Sequence, residues 1–454
     1  MSDLPPLHVV ILAAGQGTRM RSALPKVLHP LAGRPLLSHV IETAFRLSPD
    51  AVHVVHGHGG EQVRQALDDD RLRWVEQARQ LGTGHAVARA LPEVPDSARV
   101  LVLYGDVPLV RPRTLEALLG AASDGIGILT AVLPDPAGYG RILRDVGGSV
   151  TGIVEEKDAA DAERSITEIN TGMLAGPAAL LRRLLAACDN RNSQGEYYLT
   201  DVVGLAVADG LRVGTARAGD PAEVAGVNNR IQLAACERAL QRRLAEALML
   251  EGVTLADPAR LDVRGRLRCA PDVSIDVNCV FEGEVSIGAG TRIGPGCLLR
   301  NCTLGENVVV QGYTVIDGAG IGNAAQLGPF ARLRPGTELA ARAKAGNFVE
   351  LKQASIGEGS KVNHLSYVGD AILGSGVNVG AGTITCNYDG VEKHRTIIGD
   401  GAFIGSDTQL VAPVTVGARC MVAAGTTVTM DAEDGCLVIS RTRQANIPGW
   451  KRRR

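Results

Sequence analysis

Residues 398–428 of the 454-residue chain read IGDGAFIGSDTQLVAPVTVGARCMVAAGTTV. An aliphatic residue returns at every sixth position, at Ile398, Ile404, Leu410, Val416, Val422 and Val428, and most are followed by Gly or another small residue. A fixed period of this kind marks a repeat architecture, in which each unit buries its apolar position against the next. The same step runs unbroken through Ile275, Phe281, Ile287, Ile293 and Leu299. Shorter runs (Leu304, Val310, Ile316; Ile321, Leu327, Leu333, Leu339; Ile356, Val362, Val368; Leu373, Val379) are offset from one another by five-residue steps. Between Val379 and Ile398 the register is lost over GAGTITCNYDGVEKHRTI. That stretch concentrates Asn, Tyr, Asp and His, so it is read as a projecting loop that serves a site.

The repeat explains the composition. Glycine supplies 55 residues, 25 of them before Gly252 and 30 from Gly252 onward, while Phe, Tyr and Trp together make up only 3%. Aliphatic corners with tight glycine turns leave little room for aromatic rings. Lys plus Arg (47) nearly balances Asp plus Glu (49), so a net charge of -2 gives no case for a nucleic-acid or membrane-surface partner. The start MSDLPP lacks a basic, apolar leader, and no early apolar run nears the ~18 residues of a membrane span. A soluble, cytoplasmic protein is expected. The nine cysteines form no CxxC pair and are read as buried free thiols, with seven of them after residue 251 as small fillers.

Upstream of the repeat, residues 231–251 contain no glycine until Gly252 and set Leu233, Leu240, Leu244 and Leu248 near one face, which predicts a linker helix. Residues 1–230 alternate aliphatic runs with helical patterns, as in a parallel sheet covered by helices. His8–Ala14 and Arg99–Tyr104 are predicted strands and Pro35–Arg46 a helix. Ligands of such α/β folds bind at the carboxyl ends of strands, where Gly15 and Asp106 fall. The expected domains are thus 1–230, 231–251 and 252–454. His53, His56 and His58 in HVVHGHGG are read as a strand running into a glycine turn, with no neighbouring cluster to complete a metal site.

The segment LAAGQGTRM (Leu12–Met20), followed by Leu24-Pro25-Lys26, is neither a Walker A loop nor a dinucleotide fingerprint, since Met20 stands where the last glycine would be. It offers backbone N–H groups for a phosphate and two cations, Arg19 and Lys26, within reach of a polyphosphate. In the repeat, Arg334 and Lys352 lie 18 residues apart, about one coil, so they should stack on one face and clamp a phosphate. His364 in VNHLSYVG is one of only two histidines after residue 252.

These features carry resemblances. The hexads resemble the left-handed parallel β-helix of the hexapeptide-repeat acyltransferases. LAAGQGTRM with LPKVL resembles the sugar-phosphate nucleotidyltransferases. Adding LGTGHA (81–86), YGDVPL (104–109), GYGRI (138–142), EINTG (168–172), GEYYLTD (195–201) and EVAGVNNR, the chain resembles the bacterial family of bifunctional N-acetylglucosamine-1-phosphate uridyltransferases and glucosamine-1-phosphate N-acetyltransferases over nearly its whole length. The resemblance implies that Leu12, Ala13, Ala14 and Gly15 form the nucleotide loop and that Lys26 meets phosphate. By the same resemblance Gln77, Gly82 and Thr83 meet uracil, and Gly140, Glu155 and Asn170 hold the sugar phosphate. Tyr104 and Gly105 complete the binding motif, and Asp106 and Asn228 match the Mg²⁺ ligands. A hard cation held by one or two protein oxygens, with phosphate and water filling the rest, agrees with that set.

For the second half the resemblance implies that His364 is the general base, that Arg334, Lys352, Tyr367, Asn378, Asn387 and Tyr388 hold the sugar phosphate, and that Ala381, Ser406, Ala424 and Arg441 line the acetyl-CoA site. Cys386 is read as packing rather than as a nucleophile. The implied substrates are UTP, glucosamine 1-phosphate, N-acetylglucosamine 1-phosphate and acetyl-CoA, the implied product UDP-N-acetylglucosamine for cell-envelope synthesis, and the implied assembly a homotrimer. The alternative is a single-activity nucleotidyltransferase whose β-helix serves only assembly or regulation.

Overall fold

A computed structural model describes residues 5–57 and 59–452. The chain divides into two compact units, Met1–Leu240 and Gln241–Arg454. The division falls inside a single helix, Arg230–Leu250.

In the first unit a central path of seven strands runs in the order Val213–Arg217, Ile126–Val132, Glu168–Pro177, Arg99–Tyr104, Leu7–Ala13, Ala51–His56 and Leu72–Glu76. A hairpin, Arg141–Arg144 with Val150–Val154, joins beside Glu168–Pro177. All seven residues of Leu7–Ala13 are buried, because helices cover both faces of the sheet and leave no polar side for alternation. Leu7–Ala13 pairs in parallel with Ala51–His56 on one edge and with Arg99–Tyr104 on the other. The chain order therefore reverses at this strand, and the loops after Ala13 and Tyr104 open side by side at the switch point. The sheet departs from the all-parallel expectation at Glu168–Pro177, which runs antiparallel to both neighbours on the central path, and in the hairpin beside it. The buried apolar positions of Glu168–Pro177, Ile169 and Met173–Ala175, read the same in either direction, so they carry no sign of strand direction.

The histidine stretch is structural where it is described. His53 is fully buried, with Nε2 3.0 Å from Nδ1 of His8 and the two rings stacked, and burial pushes its pKa down to about 4. His58 lies outside the described residues. Leu233 and Leu240 of the helix Arg230–Leu250 pack on Leu31, Leu36, Leu109, Val227 and Cys236.

The second unit is a parallel β-helix. One face stacks strands of two to four residues from Thr254–Leu255 to Leu437–Val438, and the other strands form the remaining sheet, whose longer members, such as Cys279–Ile287, bend round a corner. Every aliphatic residue named above at a hexad position is buried in a single core. The five-residue steps are one-residue deletions at one corner: Val280 pairs with Leu298, 18 residues on, but Val285 pairs with Cys302, 17 on. At the start of the coil the Gln241 amide pairs with both backbone groups of Val263, each at 2.8 Å, while Ala245 and Leu248 enter the core.

Two expectations need correction. Cys188, Cys269, Cys386 and Cys436 are only partly buried, although all nine cysteines are free. The register break is also shorter than the sequence suggests. Asn378–Val379 and Ile384–Cys386 keep their places in the stack, pairing 25 residues ahead with Phe403–Ile404 and Gln409–Val411. Thr385 fills the hexad slot after Val379, its hydroxyl satisfied by Gly369 N and O at 2.8 and 3.0 Å. Only the segment 387–395 leaves the coil. Aromatic rings sit mostly outside the coil: Tyr313, Phe330 and Phe348 form an exposed stack on successive turns, with centroids 5.2 and 5.3 Å apart.

Candidate functional site

The nucleotide-loop residues leave the first strand at the switch point and border a cavity of about 320 Å³, walled by Leu12, Ala13, Ala14, Gly15, Lys26, Gln77, Gly82, Thr83, Tyr104 and Asp106. The loop is tight: Gly17 has φ +61°, and a Cβ there would lie 2.6 Å from Cβ of Lys26. This packing brings the Lys26 side chain across the loop mouth, where Nζ pairs with Asp106 and lies 3.1 Å from Oδ1 of Asn228. Arg19 reaches the same Oδ1 at 3.0 Å. Asn228 is 122 positions from Asp106 in sequence, yet Val227 N donates to Asp106 O at 2.9 Å and seats the two side chains together. Two cations and two oxygen donors thus meet at one point.

The donor set fits a hard divalent cation. Asp106 and Asn228 offer only oxygen, and no cluster of three His, Cys, Asp or Glu competes among the described residues.

Gly82 has φ +110°, and a Cβ there would meet the Tyr197 carbonyl at 2.5 Å, so only glycine fits this cavity wall. Thr83 Oγ1 accepts from Leu199 N at 3.1 Å, tying the wall to the GEYYLTD segment. Gly140, Glu155 and Asn170 form a second group: Asn170 N donates to Gly140 O at 2.8 Å, and a Cβ on Gly140 would lie 3.3 Å from Oε2 of Glu155. Thr200 donates to Glu155 at 3.0 Å; burial nevertheless raises the pKa of Glu155, and it raises that of Asp201 to about 6. Tyr104 stands between the cavity and this group, its ring closing on Gly172. A larger open groove of about 730 Å³, bordered by Asp124, Arg144 and Arg212, holds none of these residues.

On the β-helix, Leu333 pairs with Leu351, and Arg334 N donates to Leu351 O at 2.9 Å, so Arg334 and Lys352 are stacked neighbours. Lys352 Nζ lies 3.6 Å from Asp370, which also takes the Asn387 amide, while Arg334 is held by Glu350 at 3.0 Å. Tyr367 pairs with Glu350 on the next strand. His364 stacks one coil above Asn347, with Nδ1 2.7 Å from Asn347 Oδ1. That oxygen only accepts, so the ring proton belongs on Nδ1 and Nε2 is left with a lone pair. Ala381, Ser406 and Ala424 recur at one corner of successive coils, next to stacked Gly380 and Gly405. Asn378 lies in the adjoining strand. Arg441 lies exposed three residues beyond the last strand, Leu437–Val438, which pairs with Met421–Val422.

The projecting loop carries Asn387 and Tyr388 and is clasped by Asp389, which accepts from Val391 N, Glu392 N and His394 at 2.7–2.8 Å. These donors hold the carboxyl well below its ordinary range. Lys393 from the same loop meets Lys352, and the hydrogen bond and charge of Lys352 lower its pKa. Sequence reasoning missed Asn347, Lys393, Gln80 and His85. Asn347 and Lys393 sit in neighbouring coil or loop positions that need the register to be paired. Gln80, which bonds the Ala14 carbonyl, had a signal in its place between Gln77 and Gly82, two residues expected to meet uracil.

Two sites of different chemistry, one at the switch point of an α/β sheet and one along a β-helix, define a two-domain transferase. Residues 9–248 match the MobA-like NTP transferase domain, residues 263–343 the GMPPB C-terminal domain, and residues 395–429 the bacterial transferase hexapeptide (six repeats). The chain is 61% identical to the bifunctional protein GlmU of Alkalilimnicola ehrlichii, over 98% of this chain and 96% of that one. It is 57% identical to the bifunctional protein GlmU of Marinobacter nauticus, over 99% of each. The chain belongs to the GlmU family of bifunctional uridyltransferase/acetyltransferases.

Proposed function

We propose that the β-helix unit acetylates glucosamine 1-phosphate from acetyl-CoA and that the α/β unit joins the product to UMP from UTP, giving UDP-N-acetylglucosamine and pyrophosphate. The observation that carries the α/β assignment is the meeting of Lys26, Arg19, Asp106 and Asn228 beside a loop of backbone N–H groups. A sugar-phosphate oxygen attacks the α-phosphorus of UTP in line with departing pyrophosphate, so positioning and charge neutralisation supply most of the rate. Asp106 and Asn228 would hold Mg²⁺, which when bound neutralises phosphate charge. Lys26 and Arg19 then turn to the phosphate oxygens, and Gly140, Glu155 and Asn170 seat the sugar.

In the second site Arg334, Lys352 and Lys393 bind the acceptor phosphate, with Tyr367, Asn378, Asn387 and Tyr388 around the sugar. The free amine attacks the thioester carbonyl. His364 Nε2 takes the amine proton, Asn347 holds the ring in the tautomer that can do so, and coenzyme A leaves as the thiol. A base positioned in this way contributes on the order of 10²–10⁴ in rate. Ala381, Ser406 and Ala424 leave a small-residue track for the coenzyme, and Arg441 joins it from the tail.

The assembly is a homotrimer. The exposed stack of Tyr313, Phe330 and Phe348, continued by exposed Leu365, supports a face covered by other copies of this chain. No described helix is long and apolar enough to cross a membrane, which fits a cytoplasmic enzyme.

Asp106→Asn tests the assignment. Pyrophosphate release from UTP should fall by at least about 10² while CoA release stays at the parent rate. Equal loss of both activities would contradict separate sites.

A further inference from the structure

Gln77 follows the strand Leu72–Glu76 and is 3% exposed in the cavity wall. Its side-chain nitrogen lies 3.1 Å from the Gly82 carbonyl oxygen and 2.9 Å from Nδ1 of His85. A carbonyl oxygen can only accept, so Gly82 fixes which end of the amide faces it. His85 Nδ1 then takes the second N–H, which puts the ring proton on Nε2. An amide nitrogen carries two hydrogens, and both are committed within the protein. Oε1 has no hydrogen-bond partner among the described residues, so it is the one polar group of the side chain left for a ligand.

We propose that His85 is a specificity-determining positioning residue: by holding the Gln77 amide so that only an acceptor meets the base, it admits uracil and refuses cytosine. Uracil N3 carries a hydrogen for Oε1, whereas cytosine N3 is itself an acceptor and would leave two lone pairs facing each other. A buried acceptor denied its donor is strongly disfavoured, which is how such sites discriminate. Burial also lowers the pKa of His85 and keeps the lone pair on Nδ1 that the amide needs. The inference rests on this cavity being the UTP site.

The test compares kcat/KM for UTP and CTP in nucleotide-sugar formation by the full-length protein, in the parent and in three variants. His85→Ala and His85→Phe both lack the acceptor, one losing volume and the other keeping it. In each, the amide is held by Gly82 alone and can turn its donor toward cytosine, so the UTP/CTP ratio should fall by at least about tenfold. In His85→Asn, Oδ1 takes the place of Nδ1, and the ratio should stay within about threefold of the parent. A role in packing alone lowers both rates together, so an unchanged ratio in the first two variants overturns the proposal. Collapse of the ratio in His85→Asn to the level of His85→Ala overturns it as well. If the parent turns over neither nucleotide, the uridyl-transfer reading fails first and this inference falls with it.

Discussion

Glu223 is fully buried, although it lies in a short turn, Pro221–Val224, that leads to Asn228. Its Oε2 accepts from Thr114 Oγ1 at 2.6 Å, and its Oε1 lies 3.3 Å from Nε of Arg111. These partners flank the start of the helix Pro112–Ala121, so the carboxylate fastens the turn to that helix. Four residues later Val227 N meets Asp106 O, which seats Asn228 beside Asp106. Glu223→Ala leaves the Thr114 hydroxyl without this acceptor and removes the buried one of the two carboxylates beside Arg111, the other being Asp220 at 3.4 Å. Breaking a buried pair costs about 3–5 kcal/mol; because the Arg111 side chain is 36% exposed and can turn to water, the expected loss is about 3 kcal/mol. For a unit of this size that corresponds to a fall in Tm of roughly 6–12 °C. Tryptophan fluorescence reads it, since Trp74 packs against the first unit's core while Trp450 is largely exposed. Below the transition, the Mg²⁺ concentration needed for half-maximal uridyl transfer should rise, with CoA release unchanged. A stability change under about 0.5 kcal/mol together with an unshifted Mg²⁺ requirement would refute the fastening role.

Two further outcomes follow from the geometry. The pKa of His53, about 4 against an ordinary 6.5, means that the unfolded chain takes up this proton at higher pH than the folded one. The stability it protects is therefore full above pH ~6.5 and declines as pH falls toward ~4, by about 2–3 kcal/mol for this group at pH 4.5. Urea titrations should show that decline, and His53→Leu should reduce it. Asp389→Ala releases the three donors that clasp the projecting loop, so KM for the acetyl acceptor should rise about tenfold while uridyl transfer is unaffected.

The β-helix was legible in the sequence because its code is one-dimensional: an aliphatic residue every sixth position is an aliphatic residue in the core. The code failed where a slot was filled by something else of the right size. Thr385 is close to valine in volume and Ala345 is small but fully buried, so both interrupt the pattern without interrupting the coil. In the first unit the glycine loop and Asp106 were legible as strand ends, whereas the direction of Glu168–Pro177 was not, because its buried run Met173–Gly176 reads the same in either direction. Side-chain orientation was the least legible feature. That His364 leans on Asn347, or that both hydrogens of the Gln77 amide are spoken for, depends on pairings across a coil or a loop.

The central claim is that one chain carries two chemically independent transfer sites. His364→Ala tests it most directly, with CoA release from acetyl-CoA and glucosamine 1-phosphate measured beside pyrophosphate release from UTP and supplied N-acetylglucosamine 1-phosphate. The account predicts that CoA release falls by at least about 10² and pyrophosphate release stays at the parent rate. Unchanged CoA release, or a matching loss of both, would contradict it.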